Sequence, residues 1–334
     1  MKSKAYDVYA IGNALVDYEI KVDDAFLNAH NIEKSLMTLV DSDRQKELIE
    51  AVQGHISAKQ GGGSAANTAV ALSKLGGSGY YSCKVANDED GIVYLKDLTD
   101  NGLKTNLKSD ALPEGTTGKC LVMVSPDAER TMNTFLGITS DFSVAELDEV
   151  ALKSAEYLFI EGYLVTSENG LQAMKKAKSI AEENGVKVSL TFSDPSMVKY
   201  FRAQMLEVVG ASVDLLFCNE EEALLFTEKD TLAEAKEALK LVAKRFVITL
   251  GKNGAMIFDG DTFVNIEPYP TRAIDSNGAG DMFSGAFLYG ITNGHSFASS
   301  GKLASMAASA VVSQYGPRLT FSQLQLMRKD ILGS

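Results

Sequence analysis

The order of apolar and helical segments constrains the fold of this chain most. Strand-like apolar runs occupy residues 6–12, 157–160, 186–192, 213–218 and 246–250. Helical patterns occupy residues 65–75, 171–183 and 232–244 between and around them. Short apolar strands that alternate with helices are typical of parallel strands buried on both faces. We therefore expect an α/β fold, a three-layer sandwich with a mostly parallel central sheet.

Two segments break this alternation. Residues 17–40 place two strand-like stretches around a short helix, and residues 115–136 have the pattern of a hairpin that turns at Ser125, Pro126 and Asp127. Proline, serine and aspartate favour such turns. We expect both segments to form one small β-sheet beside the main sheet. Covering a bound ligand as a lid is the natural use for such a layer.

Composition excludes several classes of partner. The 334 residues carry a net charge of −12, with 45% hydrophobic and 23% charged residues. Binding to nucleic acid or to an anionic membrane requires clustered Lys and Arg, so neither is the expected partner. No apolar run reaches the ~18 to 20 residues that span a bilayer. The cysteines Cys83, Cys120 and Cys218 lack the spacing of a zinc site, which favours reduced thiols and a cytoplasmic protein.

The segment DSNGAGD, residues 275–281, precedes an apolar helical pattern and has the composition of an anion-binding loop. Gly278 and Gly280 allow successive amide groups to face one concavity, and the start of the helix adds a positive dipole. A carboxylate at Asp281 would repel a bound phosphate unless it has a chemical role. We interpret it as the base that accepts a proton from an attacking hydroxyl, although a simple helix cap also explains the pattern.

A second glycine run, residues 60–67, also opens a helix. Gly62 and Gly63 would let a substrate approach the backbone, and the amide of Asn67 could donate and accept hydrogen bonds. Asp17 follows the first strand at the edge where open α/β sheets bind ligands, and its carboxylate could accept two sugar hydroxyls. A plain turn and a solvated aspartate are the alternatives.

Two further polar segments follow buried strands. Asn219 and Glu222 lie three residues apart and could hold a hydrated Mg²⁺ through water, although acidic residues also favour any helix start. The segment TLGKNG, residues 249–254, leaves a strand through two glycines. It is either a simple hairpin or a place where a nucleotide passes close to the backbone.

The motifs GNALVD, GGGSAAN, NEEE, TLGKNG and DSNGAGD, in this order, resemble the PfkB family of carbohydrate and nucleoside kinases from Val8 to Arg318. The resemblance implies one kinase domain over residues 1–334, with the ribokinase-like fold and a lid made by the two segments above. It also implies transfer of the ATP γ-phosphoryl group to a hydroxyl on a ribose-like ring. A non-catalytic nucleotide-binding regulator would not need Asp281.

Matching positions then imply the site residues. The substrate would contact Asp17, Gly62, Gly63 and Asn67. ATP would contact Asn219, Thr249, Gly251 and Gly254, and Glu222 with Asn219 would organise Mg²⁺ through water. The anion hole would be Gly278, Ala279 and Gly280, with Asp281 as the base. A monovalent cation such as K⁺ would lie near Asp275 and Gly316.

Two local features resemble the adenosine kinase branch of this family. GNALVD is similar to that branch's GNPLLD, and TGKC, residues 117–120, is similar to its TGTC in the lid strand. Arg130 also matches a lid arginine near the phosphates. We therefore expect adenosine as the substrate, with a sugar kinase or another purine nucleoside kinase as the alternative, because GGGSAAN departs from the branch's GGATQN. The lid residues expected to contact a base are Leu15, Leu36, Met123 and Phe135. The expected partners are a nucleoside and ATP, and the protein is expected to be a monomer or a homodimer.

Overall fold

The chain folds into two sheets and their surrounding helices, in a computed structural model that describes residues 4–127 and 129–333. The strands are β1 (Tyr6–Ile11), β2 (Leu15–Lys21), β3 (Met37–Leu39), β4 (Ile56–Gly62), β5 (Gly79–Ser82), β6 (Lys104–Thr105), β7 (Gly118–Val124), β8 (Arg130–Phe135), β9 (Ala155–Glu161), β10 (Lys187–Thr191), β11 (Leu215–Asn219), β12 (Phe246–Thr249), β13 (Ala255–Phe258) and β14 (Phe263–Ile266). The α-helices are α1 (Asp24–Ala29), α2 (Ser42–Val52), α3 (Ser64–Leu75), α4 (Glu89–Asp100), α5 (Glu149–Lys153), α6 (Glu168–Glu183), α7 (Pro195–Val209), α8 (Glu220–Thr227), α9 (Leu232–Leu239), α10 (Ala279–Thr292), α11 (Phe297–Val311) and α12 (Phe321–Leu332). Within the described ranges, none of the helices is long and apolar enough to cross a membrane.

The large sheet has nine strands in the order β14, β13, β12, β11, β10, β9, β1, β5, β6. From β12 to β6 every neighbouring pair is parallel, whereas β13 and β14 add an antiparallel edge. The parallel strands are continuous apolar runs because helices cover both of their faces. This arrangement confirms the predicted α/β architecture with its mostly parallel sheet.

Two hydrophobic cores, one on each face of the large sheet, make the three layers. Val8 and Ala10 of β1 belong to one core, whereas Tyr9 and Ile11 belong to the other, as the alternation along a strand requires. The first core is closed by α3, α10, α11 and α12, and the second by α5 to α9. The carboxyl ends of the parallel strands are left uncovered by these helices, and the cavity described below lies there.

The small sheet has five strands in the order β3, β8, β7, β2, β4. Strands β2 and β3 come from the first out-of-pattern segment, and β7 and β8 form the predicted antiparallel hairpin. The sequence analysis missed β4, which pairs antiparallel with β2. Its sequence, ISAKQGG, ends in glycines that were interpreted only as the start of the next helix.

The predicted helix over residues 232–244 is too long at its end. Helix α9 ends at Leu239, because the chain turns there so that Ala243 can bridge to Val213 beside the large sheet. The helical periodicity of the sequence continues past this point, so it gave no sign of the turn. The other predicted strands and helices agree with the structure to within a few residues at their ends.

Candidate active site

A cavity of about 400 Å³ lies between the two sheets. Asn13, Glu161 and Asp194, which line it, follow or end β1, β9 and β10, three adjacent parallel strands of the large sheet. The uncovered carboxyl ends of such strands are where open α/β sheets bind ligands, and the volume suits a small molecule. The small sheet therefore lies over this edge of the large sheet, where a lid is expected from the sequence.

The loop at the start of α10 forms one wall of the cavity. Gly278 has φ +70°, and a Cβ atom on it would lie 2.5 Å from the Pro317 side chain, so only glycine fits there. Ala279 and Gly280 begin the helix and line the cavity, and beyond the local helix backbone no described atom lies within 4 Å of the place where a Cβ of Gly280 would be. The Ala279 amide makes only a long hydrogen bond to the Ser276 carbonyl, at 3.4 Å, and the positive helix end meets open space, an arrangement suited to an anion.

Asp281 lies one turn into α10, and its carboxylate faces helix α3. Ser64 Oγ donates to Asp281 Oδ1 at 2.6 Å, and Asn67 Nδ2 donates to Oδ2 at 3.0 Å. Burial raises the pKa of Asp281, and the two hydrogen bonds oppose that rise. Its side-chain hydrogen bonds come from the neutral donors Ser64 and Asn67, so in its ionised form the carboxylate can accept a proton.

Asp17 lies on β2 with its carboxylate in the cavity wall. It is buried, and a Cβ atom on Gly62 would lie 2.3 Å from its carboxyl group, so the glycine leaves room for this side chain. Burial raises the pKa of Asp17 to about 7, against the opposing charges of Arg130 and Arg318. Gly62 therefore accommodates Asp17, while Gly63 lines the cavity itself.

The sequence analysis missed Glu161, the last residue of β9. Its carboxylate accepts hydrogen bonds from the backbone amides of Asn13, at 3.1 Å, and Ala65, at 2.7 Å. Burial raises the pKa of Glu161 to about 7, and these amides oppose the rise. The signal was present, because an apolar strand that ends in a carboxylate places this group at the ligand-binding edge. Glu161 joins the loop after β1 to the start of α3.

Arg130 lines the cavity from β8, but it pairs with a carboxylate. Its Nε lies 2.6 Å from Asp275 Oδ1, and both side chains are buried. The amides of Asn277 and Gly316 donate to the same carboxylate, at 2.9 and 3.0 Å. In this arrangement the Arg130 guanidinium compensates the charge of Asp275. The cation expected near Asp275 and Gly316 stays a prediction.

The other wall of the cavity is the face of the small sheet that looks toward α10. We call its apolar side chains the roof: Leu15, Met37, Leu39, Cys120, Val122, Met132 and Leu136. We call the opposite side, Ser64, Asn67, Glu161 and residues 276–281, the floor. Strand pairing aligns the roof, since Val122 lies opposite Met132 and Met132 lies beside Met37. The roof is wide enough to cover a flat apolar group.

Three of the four predicted lid contacts do not line this cavity. Met123 packs in the core beneath the small sheet, Leu36 is 46% exposed, and Phe135 lines a shallower neighbouring groove. Each of them is one residue away from a roof position, and a shift of one residue along a strand reverses the direction of the side chain. Among the four predicted lid contacts, Leu15 does line the cavity.

The predicted nucleotide residues continue along the same edge of the large sheet. Asn219 ends β11 and lies beside Thr249, which ends β12, the next parallel strand. Gly251 and Gly254, with φ +55° and +84°, make the turn into β13. A Cβ on Gly254 would lie 2.0 Å from the carbonyl oxygen of Ile266, so this glycine is also needed for packing.

Asn219 and Glu222 are hydrogen-bonded to each other. Asn219 Oδ1 accepts from the Glu222 amide at 2.8 Å, and Glu222 Oε2 accepts from the Asn219 amide at 2.9 Å, which is a capping box. Burial raises the pKa of Glu222 to about 8. Over the described residues, no group of three or more His, Cys, Asp or Glu is placed to hold a metal ion. Because these atoms are engaged, Asn219 and Glu222 would reach a Mg²⁺ ion only through water.

Known proteins with this architecture include kinases for nucleosides and for sugars. The adenosine kinase structure from Sinorhizobium meliloti is 32% identical, has a TM-score of 0.91, and the match covers 98% of this chain and 99% of that one. A probable sugar kinase from Rhizobium etli CFN 42 has the same identity and TM-score, with 98% of both chains covered. The 5-dehydro-2-deoxygluconokinase of Clostridium beijerinckii is 28% identical over 81% of this chain and 83% of its own length.

The family assignment rests on most of the chain. Residues 35–323 match the description pfkB family carbohydrate kinase, and this range contains the loop of Gly278 to Asp281 and both helices that hold it. The similar structures confirm the ribokinase-like fold with its large and small sheets. The chain therefore belongs to the pfkB family of carbohydrate kinases and is a phosphotransferase that acts on an alcohol group.

Proposed function

We propose that this kinase transfers the γ-phosphoryl group of ATP to the 5′-hydroxyl of adenosine and forms AMP. The observation that carries the proposal is the roof, an apolar surface of side chains from four strands that faces a polar floor. A free sugar would leave this surface without an apolar partner, whereas a purine would cover it. Burial of apolar area contributes ~25 cal/mol per Å² before entropy losses.

In the proposed orientation, the ribose lies between Asp17 and Asn67. Ionised Asp17 accepts hydrogen bonds from two ring hydroxyls, while the small Gly63 allows the sugar to approach the backbone. The 5′-carbon then points toward Asp281, and the base points toward Leu15 and Met132 on the roof. The polar and apolar parts of the cavity thus match the two halves of a nucleoside.

The proposed chemistry uses the floor. Asp281 accepts the proton of the 5′-hydroxyl as its oxygen forms a bond to the γ-phosphorus and the bond from that phosphorus to ADP breaks. The amides of Ala279 and Gly280 donate to the oxygens of the transferred group, whose charge the helix end also stabilises. Arg130 adds a positive charge when it leaves Asp275 and turns toward the phosphates.

The proposed nucleotide position follows the neighbouring strand ends. ATP would extend from the loop at Gly278 past Asn219 and Thr249, with its adenine near Gly251. Mg²⁺, when bound, neutralises phosphate charge, and Glu222 would reach it through water. These assignments fit a cytoplasmic enzyme of purine salvage, and they rest on the order of β11 and β12 along the sheet.

A sugar kinase is the second candidate. The glycine run before Asn67 reads GGGSAAN rather than the GGATQN of the adenosine kinase branch, and one of the similar structures is a probable sugar kinase. A sugar acid or ketose would use Asp17 and Asn67 in the same way but would not contact Met132. The two candidates therefore differ in what the roof does.

A coupled assay of ADP release separates the candidates. Adenosine, inosine, guanosine, ribose and fructose are compared at equal concentration with ATP and Mg²⁺. We expect the highest kcat/KM for adenosine, and for free sugars only slow turnover. A faster reaction with ribose or fructose would reject adenosine as the substrate and would favour the sugar kinase. Preference for inosine or guanosine would keep the nucleoside but change the base.

A further inference from the structure

Arg318 is buried behind the floor, and it contacts the amide that holds Asp281. It lies between α11 and α12, and its side chain is 6% exposed. Its Nε donates to Asn67 Oδ1 at 2.8 Å, and its Nη1 lies 2.5 Å from Asp97 Oδ2. Arg318 does not line the cavity, so it has no direct contact with a substrate there.

The contact with Asn67 determines which way its amide points. An amide side chain has an accepting oxygen and a donating nitrogen, and a guanidinium can only donate. Because Arg318 faces the oxygen, Asn67 must turn its nitrogen toward Asp281, where it donates at 3.0 Å. The reversed amide would place an oxygen against the carboxylate and would repel it.

The charge of Arg318 also reaches the acidic groups of the cavity. It opposes the rise in pKa that burial causes at Asp281 and at Asp17. Asp97 holds the guanidinium in place from α4, and a Cβ on Gly61 would lie 2.4 Å from Asp97 Oδ2, so glycine leaves room for this pair. Helix α4, the segment before α12, helix α3 and helix α10 are therefore joined in one chain of polar contacts.

Stability alone does not explain this arrangement. Arg318 Nη2 is buried and has no hydrogen-bond partner among residues 4–127 and 129–333, and a guanidinium nitrogen in this state loses hydration without a replacement there. Apolar residues often replace buried ion pairs without loss of stability. An apolar residue at position 318 would not fix the orientation of the Asn67 amide.

We propose that Arg318 is a positioning residue for phosphoryl transfer. It keeps the Asn67 amide in the orientation that donates to Asp281, and its positive charge favours the ionised form of this carboxylate. The inference rests on the proposed role of Asp281 as the base, whichever alcohol is the acceptor. Arg318 orients the base through Asn67, so at a pH above the acidic limb, where Asp281 is ionised in every variant, its removal should affect catalysis only while that amide is present.

A double-mutant cycle tests this. Arg318→Met, Asn67→Ala and the double variant are compared with the wild type in the coupled assay, with adenosine or with whichever acceptor that assay identifies. We expect Arg318→Met to lower kcat by about 10- to 100-fold, the loss expected for one charge-assisted hydrogen bond, with little change in the KM for ATP. The double variant should be no slower than Asn67→Ala.

The pH profile of kcat gives a second readout. Loss of the positive charge should move the acidic limb of the Arg318→Met profile to higher pH, because the base then holds its proton more tightly. Asp97→Asn keeps the shape of the partner but removes a negative charge that offsets Arg318, so it should move the limb the other way, to lower pH. Arg318→Lys retains the charge and one donor, should restore part of kcat, and replaces Arg318→Met in the cycle if that variant does not fold.

The possible outcomes separate this inference from the proposed function. If the losses in kcat of Arg318→Met and Asn67→Ala multiply in the double variant, the two residues act independently and Arg318 is only a structural residue. The same conclusion follows if Arg318→Met lowers the melting temperature but leaves the pH profile of kcat unchanged. If Asp281→Asn retains normal turnover, the role of the base fails first and the inference fails with it. If Asp281→Asn is inactive and Arg318→Met turns over normally, only the inference is wrong.

Discussion

The floor and the roof of the cavity are built in opposite ways. On the floor, Asp281 has a donor for each of its oxygens, and the carboxylate of Glu161 accepts two backbone amides. On the roof, side chains such as Val122 and Met132 meet the cavity with apolar surface alone. The floor fixes the positions of particular polar atoms through hydrogen bonds, whereas the roof provides apolar surface area.

This difference separates the rate of the reaction from the choice of substrate. Oriented donors and a carboxylate act on charge that changes during transfer, so they affect kcat. Apolar contact with a base is the same before and during transfer, so it affects KM and the ranking of substrates. Variants of the two sides should therefore give different kinetic signatures.

The largest effect is expected on the floor. Asp281→Asn keeps the size of the side chain but removes the base, so kcat should fall by about 10² to 10⁴ while adenosine and ATP still bind. Single-turnover rates and calorimetric binding measure the two quantities separately. If Asp281 only capped the helix, the variant would lose roughly 1 kcal/mol of stability with a near-normal rate.

Arg130 links the two sides of the cavity, because it comes from the small sheet and pairs with Asp275 beside the floor. Arg130→Ala should lower kcat by about 10- to 100-fold if the guanidinium serves the phosphates. It should also lower the free energy of unfolding by about 3 to 5 kcal/mol, because Asp275 is left buried without its partner.

The double variant Arg130→Ala with Asp275→Asn separates these effects. We expect it to regain most of the stability in urea unfolding, because the buried charge is gone, and to remain slow. Recovery of kcat together with stability would show that Arg130 supports the fold only and does not contact the transferred group.

A roof variant should have a smaller effect and a different signature. Met132→Ala removes apolar contact with the base, so the KM for adenosine should rise about 3- to 30-fold with kcat nearly unchanged. Leu36→Ala is the matched control, since Leu36 lies one position from the roof and is exposed. Equal changes in KM for the two variants would contradict the assignment of substrate choice to the roof. A change in kcat alone for Met132→Ala would contradict it too.

The smallest effect is on stability against pH. Burial raises the pKa of Asp17 and of Glu161 to about 7, whereas unfolded carboxyls titrate near 4. Between these values the folded state holds more protons than the unfolded state, so stability falls as pH rises from about 5 to about 8. The melting temperature should be lower at pH 8 than at pH 6, and Asp17→Asn should reduce the difference. A melting temperature that rises over this range would contradict the raised pKa values.

Much of the floor was predictable from the sequence because its chemistry depends on local backbone. One glycine with positive φ, Gly278, a helix start and the following Asp281 all lie within seven consecutive residues. Asp17, which lines the cavity from β2 of the small sheet, was singled out by its place after the first strand. Glu161 was missed, although the same rule of strand ends applies to it.

The roof was less predictable because it depends on strand register. Met123 and Val122 are equally apolar in sequence, and the pairing of β7 with β2 and β8 decides which of them faces the cavity. Strand β4 was missed since its polar and glycine-rich sequence has no apolar alternation. The partners of Arg130 and Arg318 were beyond sequence reasoning, because both contacts join segments more than a hundred residues apart.

Strand β4 has a consequence for the hydrolysis of ATP when no acceptor is bound. It ends at Gly62, and a single residue, Gly63, separates it from helix α3, which begins at Ser64. A displacement of the small sheet would therefore pull on Ser64 and Asn67, the two donors that hold Asp281. An open lid would disturb the base Asp281 while water can enter the cavity. Hydrolysis of ATP would therefore stay slow until an acceptor binds and the lid closes.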